Sequence, residues 1–190
     1  MEKIYIEDKA FDNIDFTQEA LEQAVYEGCT FTNCNFSGVN LSHQHFADCK
    51  FIGCNMATAL LGKTVFRDVQ FVHCKMLGLH FEHCHDVLFA AGFDHCTLNL
   101  SSFYQLKLKK TAFTHCVLQE VDFTEADLTA AIFDNCDLAQ AVFDNTILEK
   151  TDFSTAFNYT INPQQNKIKK ARFSATGLAG LLRQYDIDIV

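Results

Sequence analysis

The chain has 190 residues, of which 48% are hydrophobic, and this combination suits one domain with a sizeable core. Its formal net charge of −9 argues against direct binding to nucleic acid or to an anionic membrane surface. The first ten residues include five charged side chains, so no apolar signal core is expected, and no later run predicts a transmembrane helix. These observations predict a soluble protein of the cytoplasm.

The first half of the chain has a large, mostly apolar residue at every fifth position. Residues 1–9 precede this pattern and alternate Ile4 and Ile6, which predicts a short strand that closes the N-terminal end. The five-residue register runs from Phe11 to Phe81, whereas residue 86, the next expected centre, is Asp. The register resumes at Leu88, so two extra residues lie within 82–87 and predict a bulge.

The register is clearest over residues 111–155, where every fifth residue is Phe or Leu. The residue two positions before each centre is small or β-branched. Neither the helical period nor strand alternation gives a repeat of five, so the pattern predicts a repeat architecture. A segment of five residues cannot bury its own side chains, and each must therefore stack on similar segments in the neighbouring coils.

This pattern resembles the pentapeptide-repeat family, whose usual repeat is A(D/N)LXX. The resemblance implies an all-β fold: a right-handed quadrilateral parallel β-helix with four repeats per coil. A coil of twenty residues places Phe11, Phe31, Phe51 and Phe71 in one column, and Phe93, Phe113, Phe133 and Phe153 in another after the two extra residues. We expect about seven coils and a rod roughly 35 Å long, at ~4.8 Å per coil.

The single domain is predicted to hold repeats over residues 10–158 and a different C-terminal segment over 159–190. That segment begins with a loop containing Pro163 and a last repeat at residues 171–173. Apolar residues at helical spacing predict a helix over 176–185, and alternation at Ile187, Ile189 and Val190 predicts a terminal strand. Similar tails in related quinolone-resistance proteins imply a homodimer formed through Leu178, Leu181, Leu182 and Tyr185.

Cysteine and histidine positions do not predict a metal site or a cofactor. Each of the nine cysteines falls at the small inward position of a repeat, where Cys acts as a small hydrophobe, and no CxxC pair occurs. His80 and His83 take outward positions and Cys84 an inward one, so they should diverge; His95 and His115 should form a solvated ladder. No phosphate-binding loop or nucleophile elbow is present, and neither an enzyme nor a small-molecule substrate is predicted.

Acidic residues are concentrated in the second half of the chain. Residues 114–156 include nine acids and one base, Lys150. The candidate partner-binding residues, expected on one acidic face, are Asp122, Asp127, Asp134, Asp137, Asp144 and Asp152. One interpretation is that the turns of the repeat favour Asp and Asn. The alternative rests on the resemblance: Qnr-like and MfpA-like members are acidic, rod-shaped mimics of duplex DNA.

For this chain the resemblance implies DNA gyrase or topoisomerase IV as partner, with a possible role in fluoroquinolone resistance. Drug protection in Qnr-like members is tied to long projecting loops, whereas this chain has only the two-residue interruption at 82–87. Gyrase binding without such loops is a property of the MfpA-like members. The competing hypothesis is a scaffold for another protein partner, with no topoisomerase role.

Overall fold

The computed structural model describes residues 4–86 and 89–188, and in these the chain winds into a parallel β-solenoid. Each strand is short because the chain turns a corner after every repeat. The strands are β1 Tyr5–Glu7, β2 Ala10–Asp12, β3 Val25–Glu27, β4 Thr30–Thr32, β5 His45–Ala47, β6 Lys50–Ile52, β7 Val65–Arg67, β8 Val69–Val72, β9 Ala91–Asp94, β10 Ala112–Thr114, β11 Ile132–Asp134, β12 Asp152–Phe153 and β13 Arg172–Phe173.

The strands form two sheets on adjacent sides of the rod. One has the order β1-β3-β5-β7, and the other runs β2-β4-β6-β8-β9-β10-β11-β12-β13. Paired residues lie twenty positions apart, as in the pairing of Phe11 with Phe31 and of Phe31 with Phe51. This register confirms four repeats per coil. The nine strands of the longer sheet enclose about eight turns, or ~38 Å of rod, so the expected seven coils were slightly too few.

The two extra residues are absorbed within a single coil. Phe71 pairs with Phe93 across 22 residues, and their rings stack with centroids 5.4 Å apart. The two phenylalanine columns expected from the sequence are therefore one continuous column. A 3₁₀ turn at Phe81–His83 lies midway along this longer coil. The expected centre Leu88 lies outside the described residues, and Phe89 is buried beside Phe66 and Phe81.

Aromatic rings fill much of the core in stacked columns, of which two meet edge to face in the second half of the chain; Tyr26, Phe46 and Phe66 form a further stack. In the first column neighbouring rings lie parallel, as Phe113 and Phe133 do at 4.9 Å between centroids. The second column contains Phe103 and Phe123, stacked at 5.4 Å, and Phe123 meets Phe133 edge-on at 83°. Both geometries suit the ring quadrupole, so close stacking adds to the burial of apolar surface. The rise of one coil therefore matches the spacing that stacked rings prefer.

A left-handed residue near the end of each repeat turns the chain through the corner. Positive φ recurs at five-residue intervals, for example at Asn13 (53°), Asn33 (52°) and Asp48 (53°). Gly, Asn, Asp and His occupy many of these positions, and these are the residues that tolerate left-handed backbone best. The preference explains much of the polar patterning between the buried centres.

Both ends of the rod differ in part from the expectation. Ile6 pairs with Tyr26, so β1 is the first repeat of the solenoid rather than a separate cap. The winding also continues beyond residue 158, because Ile147 pairs with Lys167 and Phe153 with Phe173. The predicted last repeat at 171–173 is thereby confirmed as a strand.

The predicted helix is present, as a 3₁₀ turn at Thr176–Leu178, helix α1 at Ala179–Leu182 and a further 3₁₀ turn at Arg183–Tyr185. The predicted terminal strand is not formed by residues 186–188, because Asp186 has left-handed backbone (φ 50°) that turns the chain out of the extended conformation. Residues 189–190 lie outside the described range. Among the described residues, no helix is long and apolar enough to cross a membrane.

Candidate functional site

The six candidate aspartates surround the rod instead of forming one face. Four of them stand in separate parallel ladders, where the paired residues of successive coils are Asp122 and Val142, Asp127 and Ile147, Asp137 and Phe157, and Ile132 and Asp152. Residues stack on one another only when they are about twenty positions apart, and no two of these four aspartates are. The other two, Asp134 and Asp144, each follow a buried phenylalanine. The expectation of a single acidic face was wrong, because the coil distributes the carboxylates around its circumference.

The aspartates are half-buried rather than freely exposed, since most of them take part in the turn that follows. The carboxylate of Asp122 accepts a hydrogen bond from the N–H of Thr124 at 2.8 Å. Asp152 accepts one from the N–H of Ser154 at 2.9 Å in the same way. In each case the aspartate precedes the buried centre, and its carboxylate oxygen accepts a hydrogen bond from the backbone N–H of the residue that follows the centre. This is the geometry of an Asx turn. These side chains therefore have a structural role.

In the N-terminal coils Asp15 makes the same turn bond, to the N–H of Thr17 at 3.0 Å, and asparagine makes it in the coils that follow. Asn35 accepts a hydrogen bond from the N–H of Ser37 at 3.1 Å, Asn40 from Ser42 at 3.0 Å, and Asn55 from Ala57 at 3.2 Å. The turn needs a side-chain oxygen, which either residue supplies. The fold therefore explains why Asp or Asn occurs before a centre. It does not explain the use of Asp in the C-terminal coils.

The hydrogen bonds hold several of these carboxylates in the ionised form. Burial acts to raise the pKa of Asp127, but hydrogen bonds from the hydroxyl and N–H of Thr129, with a contribution from Lys109, outweigh it, and the pKa lies below its usual value. The pKa values of Asp137 and Asp152 are also lowered, because hydrogen bonds again outweigh burial. At neutral pH these groups are therefore charged.

Two of the six charges have a cationic partner. The ammonium of Lys109 lies 3.2 Å from Asp127, and the guanidinium of Arg172 lies 2.7 Å from Asp152. Both cations are mostly exposed, so the pairs stabilise the fold only weakly. They reduce the local negative charge by two.

The cysteines have a role beyond filling space. Six cysteines stand in one column: Cys34, Cys54, Cys74, Cys96, Cys116 and Cys136. Each thiol of this column points to the carbonyl of a core phenylalanine in the preceding coil. For example, Cys136 donates to the carbonyl of Phe113 at 3.3 Å. Hydroxyls replace the thiol elsewhere: Thr146 donates to the carbonyl of Phe123 at 2.9 Å and Thr151 to that of Leu128 at 2.8 Å. The inward position thus requires a small residue and gains from one that can donate. All nine cysteines are free and buried.

The four residues of the expected dimer contact do not form one surface. Leu181 is buried in the core cluster, while Leu178 and Tyr185 are about half exposed. Leu182 is partly buried and, with Arg183 and Ile187, lines a groove of about 630 Å³ between α1 and the last coil. Leu181 therefore belongs to the cap, and the exposed pair remains available to a partner.

The helix packs closely on the last coil because two of its residues are glycines. A Cβ at Gly177 would overlap the hydroxyl of Tyr159, and one at Gly180 would overlap the Tyr159 carbonyl oxygen. The carbonyl of Gly180 also accepts a hydrogen bond from the N–H of Ile161 at 3.0 Å. The helix thus satisfies part of the edge that the last coil would otherwise expose.

Two groups of histidines lie on the surface. His80 and His83 stack with ring centroids 5.3 Å apart, so these two side chains do not diverge as expected, although Cys84 is buried and points away. His95 and His115 stack at 4.6 Å, as expected from their spacing. The structure adds His73, whose ring lies 4.8 Å from that of His95. The sequence conceals this third member, because 22 residues rather than twenty separate it from His95.

A parallel solenoid of five-residue repeats with stacked aromatic centres defines the class of this protein as a repeat protein. A family model for the pentapeptide repeat region matches residues 25–86 and 87–173. The chain therefore belongs to the pentapeptide-repeat family. The boundary between the two matches falls at the longer coil.

Solved structures of the same family resemble the chain at low identity. Full-length QnrB1, a plasmid-mediated fluoroquinolone resistance protein, is 14% identical over 96% of this chain and 100% of its own, with a TM-score of 0.41. HetL, a pentapeptide repeat protein involved in heterocyst differentiation regulation in the cyanobacterium Nostoc sp. strain PCC 7120, is 13% identical over 90% of this chain and 86% of its own, with a TM-score of 0.44. No curated protein matches the chain in sequence.

Proposed function

We propose that this chain is a non-enzymatic binding protein whose acidic coils occupy a basic groove that otherwise holds duplex DNA, with DNA gyrase or topoisomerase IV as the partner. One observation carries the proposal. The turn before each buried centre needs only a side-chain oxygen, and Asn35, Asn40 and Asn55 supply it without charge. In the C-terminal coils Asp122, Asp127, Asp137 and Asp152 supply the same oxygen with a charge that the fold does not require.

The magnitude of the charge supports this interpretation. Residues 114–156 contain nine acids and one lysine, a net charge of 1 − 9 = −8. About two coils hold them, or ~10 Å along the rod. Even if the ion pairs with Lys109 and Arg172 remove two charges, −8 + 2 = −6 remains. Duplex DNA carries one charge per ~1.7 Å, about six over the same length. These two coils thus match the charge density of DNA over that length, and they carry it around the rod as DNA does.

Binding by such a surface is governed by charge. The affinity is expected to fall steeply with salt, and the association rate to exceed that of an uncharged pair. No catalytic group is needed, because occupation of the groove is itself the inhibitory act.

The test is inhibition of DNA supercoiling by gyrase, and of decatenation by topoisomerase IV, at low salt. A variant with Asp122→Asn, Asp127→Asn, Asp137→Asn and Asp152→Asn keeps the turn bonds and removes four charges, so it is expected to fold but to lose inhibition. A matched control removes four charges at the other end through Asp12→Asn, Asp15→Asn, Glu19→Gln and Glu22→Gln. This control is expected to retain most of the inhibition.

Two outcomes would contradict the proposal. If both variants lose inhibition equally, net charge and not the C-terminal coils determines the effect. If the wild-type chain leaves both enzymes unaffected at micromolar concentration, the topoisomerase role fails and a scaffold for another partner becomes the better hypothesis. A role in fluoroquinolone resistance requires one more result, namely that the chain restores supercoiling by drug-inhibited gyrase.

A further inference from the structure

The histidine ladder on the side of β8, β9 and β10 is a separate feature that the DNA-mimic proposal does not use. His73, His95 and His115 each follow one of these strands, and all three have left-handed backbone with φ between 51° and 54°. Their side chains project into solvent in successive coils. Beside them Asp94, at the end of β9, lies 2.8 Å from Nδ1 of His95 through its Oδ1 atom.

We propose that Asp94, His95 and His115 bind one divalent transition-metal cation of the Zn²⁺ type, with water completing the coordination. One nitrogen or oxygen atom from each residue lies within 4.8 Å of the others. Imidazole and carboxylate together are ligands that Zn²⁺ accepts, and three protein ligands leave a position for water. Among the described residues, this is the one group of three such side chains that converges to this extent.

The backbone holds the two imidazoles next to each other in neighbouring coils before any metal arrives. The N–H of His95 donates to the carbonyl of Thr114 at 2.8 Å, and that of His115 donates to Asp134 at 2.8 Å. The rings are nearly parallel, with 17° between their planes. Two nitrogens on a tetrahedral Zn²⁺ lie ~3.3 Å apart at bond lengths of 2.0–2.1 Å, so ligand atoms up to 4.8 Å apart need to converge by at most about 1.5 Å. Both side chains are exposed, and they can rotate without disturbing the core.

Asp94 has a second use in this arrangement. Its Oδ1 atom lies 2.8 Å from Nδ1 of His95, so the carboxylate fixes the orientation of that ring before a metal binds. A cation that takes the place of the hydrogen between these two atoms has both Asp94 and His95 as ligands. The negative charge of the surrounding chain favours a cation there.

The ladder itself supplies variants that preserve the fold. The next residue in the same position is Asn135, with φ 51°, and earlier coils have Asn13 and Asn33 there. His95→Asn and His115→Asn therefore introduce a residue that this position already accepts. His43→Asn is the matched control, because His43 is also exposed with φ 64° but lies on another side of the rod.

The experiment is calorimetric titration of the full chain, freed of metal by a chelator, with Zn²⁺ alone. One Zn²⁺ per chain is expected, with at least a tenfold loss of affinity in His95→Asn, His115→Asn and Asp94→Asn, and no change in His43→Asn. The absence of saturable binding in tenfold excess of Zn²⁺, or equal losses in the control, would overturn the proposal.

The buried cysteines require a second measurement, because thiolates also bind Zn²⁺. Co²⁺ substituted into a site of imidazole and carboxylate lacks the intense near-ultraviolet charge-transfer band that thiolate ligands produce. We expect a spectrum without this band, and a spectrum with it would assign the metal to cysteine and overturn the proposal. Circular dichroism of each variant confirms that its solenoid is intact.

Discussion

At the scale of single residues, the repeat sets three demands: a large apolar centre, a small inward donor and a residue that accepts left-handed backbone. The sequence predicts the apolar centre and the small size of the inward residue, whereas the donor role of that residue is found in the structure. The third demand is not met at every corner. Thr58 and Leu100 occupy left-handed positions, with φ of 57° and 60°, although neither residue type favours that backbone. Such backbone costs an ordinary L-residue about 1–2 kcal/mol, and β-branching adds to the strain. These residues are therefore local weaknesses in the fold.

Thr58→Asn is expected to stabilise the chain by about 1 kcal/mol, because Asn accepts the left-handed region that β-branched Thr resists. The side chain is exposed, so little packing is lost. Chemical denaturation followed by circular dichroism measures the change. Thr32→Asn is the control: Thr32 lies in β4 and should gain nothing. A destabilised Thr58→Asn would show that side-chain contacts outweigh backbone strain at this corner.

The thiols are expected to be unreactive in the native state. Burial raises the pKa of Cys49 to about 12, and it also raises the pKa of Cys34 and Cys84. All nine thiols are buried, so at pH 8 a disulfide reagent should label none of them in the native chain and all nine in denaturant. A pKa raised by folding contributes stability that is complete below the unfolded value near 9 and is lost as the pH rises toward 12. Rapid labelling of the native chain would contradict this account.

At the scale of elements, the sequence predicts the coil well and its irregularities less well. The period of five, together with the four repeats per coil that the family resemblance implies, predicts that Phe113, Phe133 and Phe153 stand in one column, as they do. The extra residues at 82–87 could be located, but not the pairing of Phe71 with Phe93 across them. That pairing depends on how the corner absorbs two residues, which no local pattern specifies.

The same insertion limited prediction of the candidate sites. His73 and His95 stack only because the longer coil aligns them. The position of Asp94 in the repeat does not predict its contact with His95, because many other acidic residues have similar positions. The aspartates were recognised as a group, whereas their distribution around the rod follows from the angle between repeats and not from their number. The interpretation that the turns of the repeat favour Asp and Asn is confirmed by the side-chain bonds of both residue types.

Phe133→Ala is expected to lower the free energy of unfolding by about 3–5 kcal/mol, as large-to-small changes in a packed core do. Phe133 is fully buried and stacks on Phe113 and Phe153 at 4.9 Å each. Its neighbour Ile132 is 45% exposed in the same strand, so Ile132→Ala serves as control and should cost far less. Guanidinium denaturation of both variants measures the difference. A loss below about 1 kcal/mol for Phe133→Ala would contradict the column packing.

At the scale of the whole molecule, the C-terminal end of the rod exposes apolar side chains beside its cap. The C-terminal end is covered by α1, yet Leu178 and Tyr185 remain 48% and 51% exposed. The groove beside them is lined in part by Leu182 and Ile187. This apolar surface exceeds what capping one coil needs, and a second copy related by two-fold symmetry would cover it.

We therefore expect the wild-type chain to be a dimer in light-scattering measurements and Leu178→Asp to be a monomer with unchanged secondary structure. Leu178 is the appropriate site because it is exposed, whereas Leu181→Asp would place a charge in the core and should unfold the cap instead. A wild-type chain that is monomeric at tens of micromolar would show that this surface has another use.

The longer coil also gives the molecule a mechanical signature. Parallel ladders hold each coil only to its two neighbours, so tension applied to the two termini should peel coils from an end one after another. Each released coil of twenty residues adds ~70 Å of contour length, at about 3.5 Å per residue, and the coil that joins Phe71 to Phe93 adds roughly 7 Å more. A single-molecule pulling trace should therefore show steps of equal length and one longer step. The place of the longer step in the series identifies when the coil from Phe71 to Phe93 unfolds.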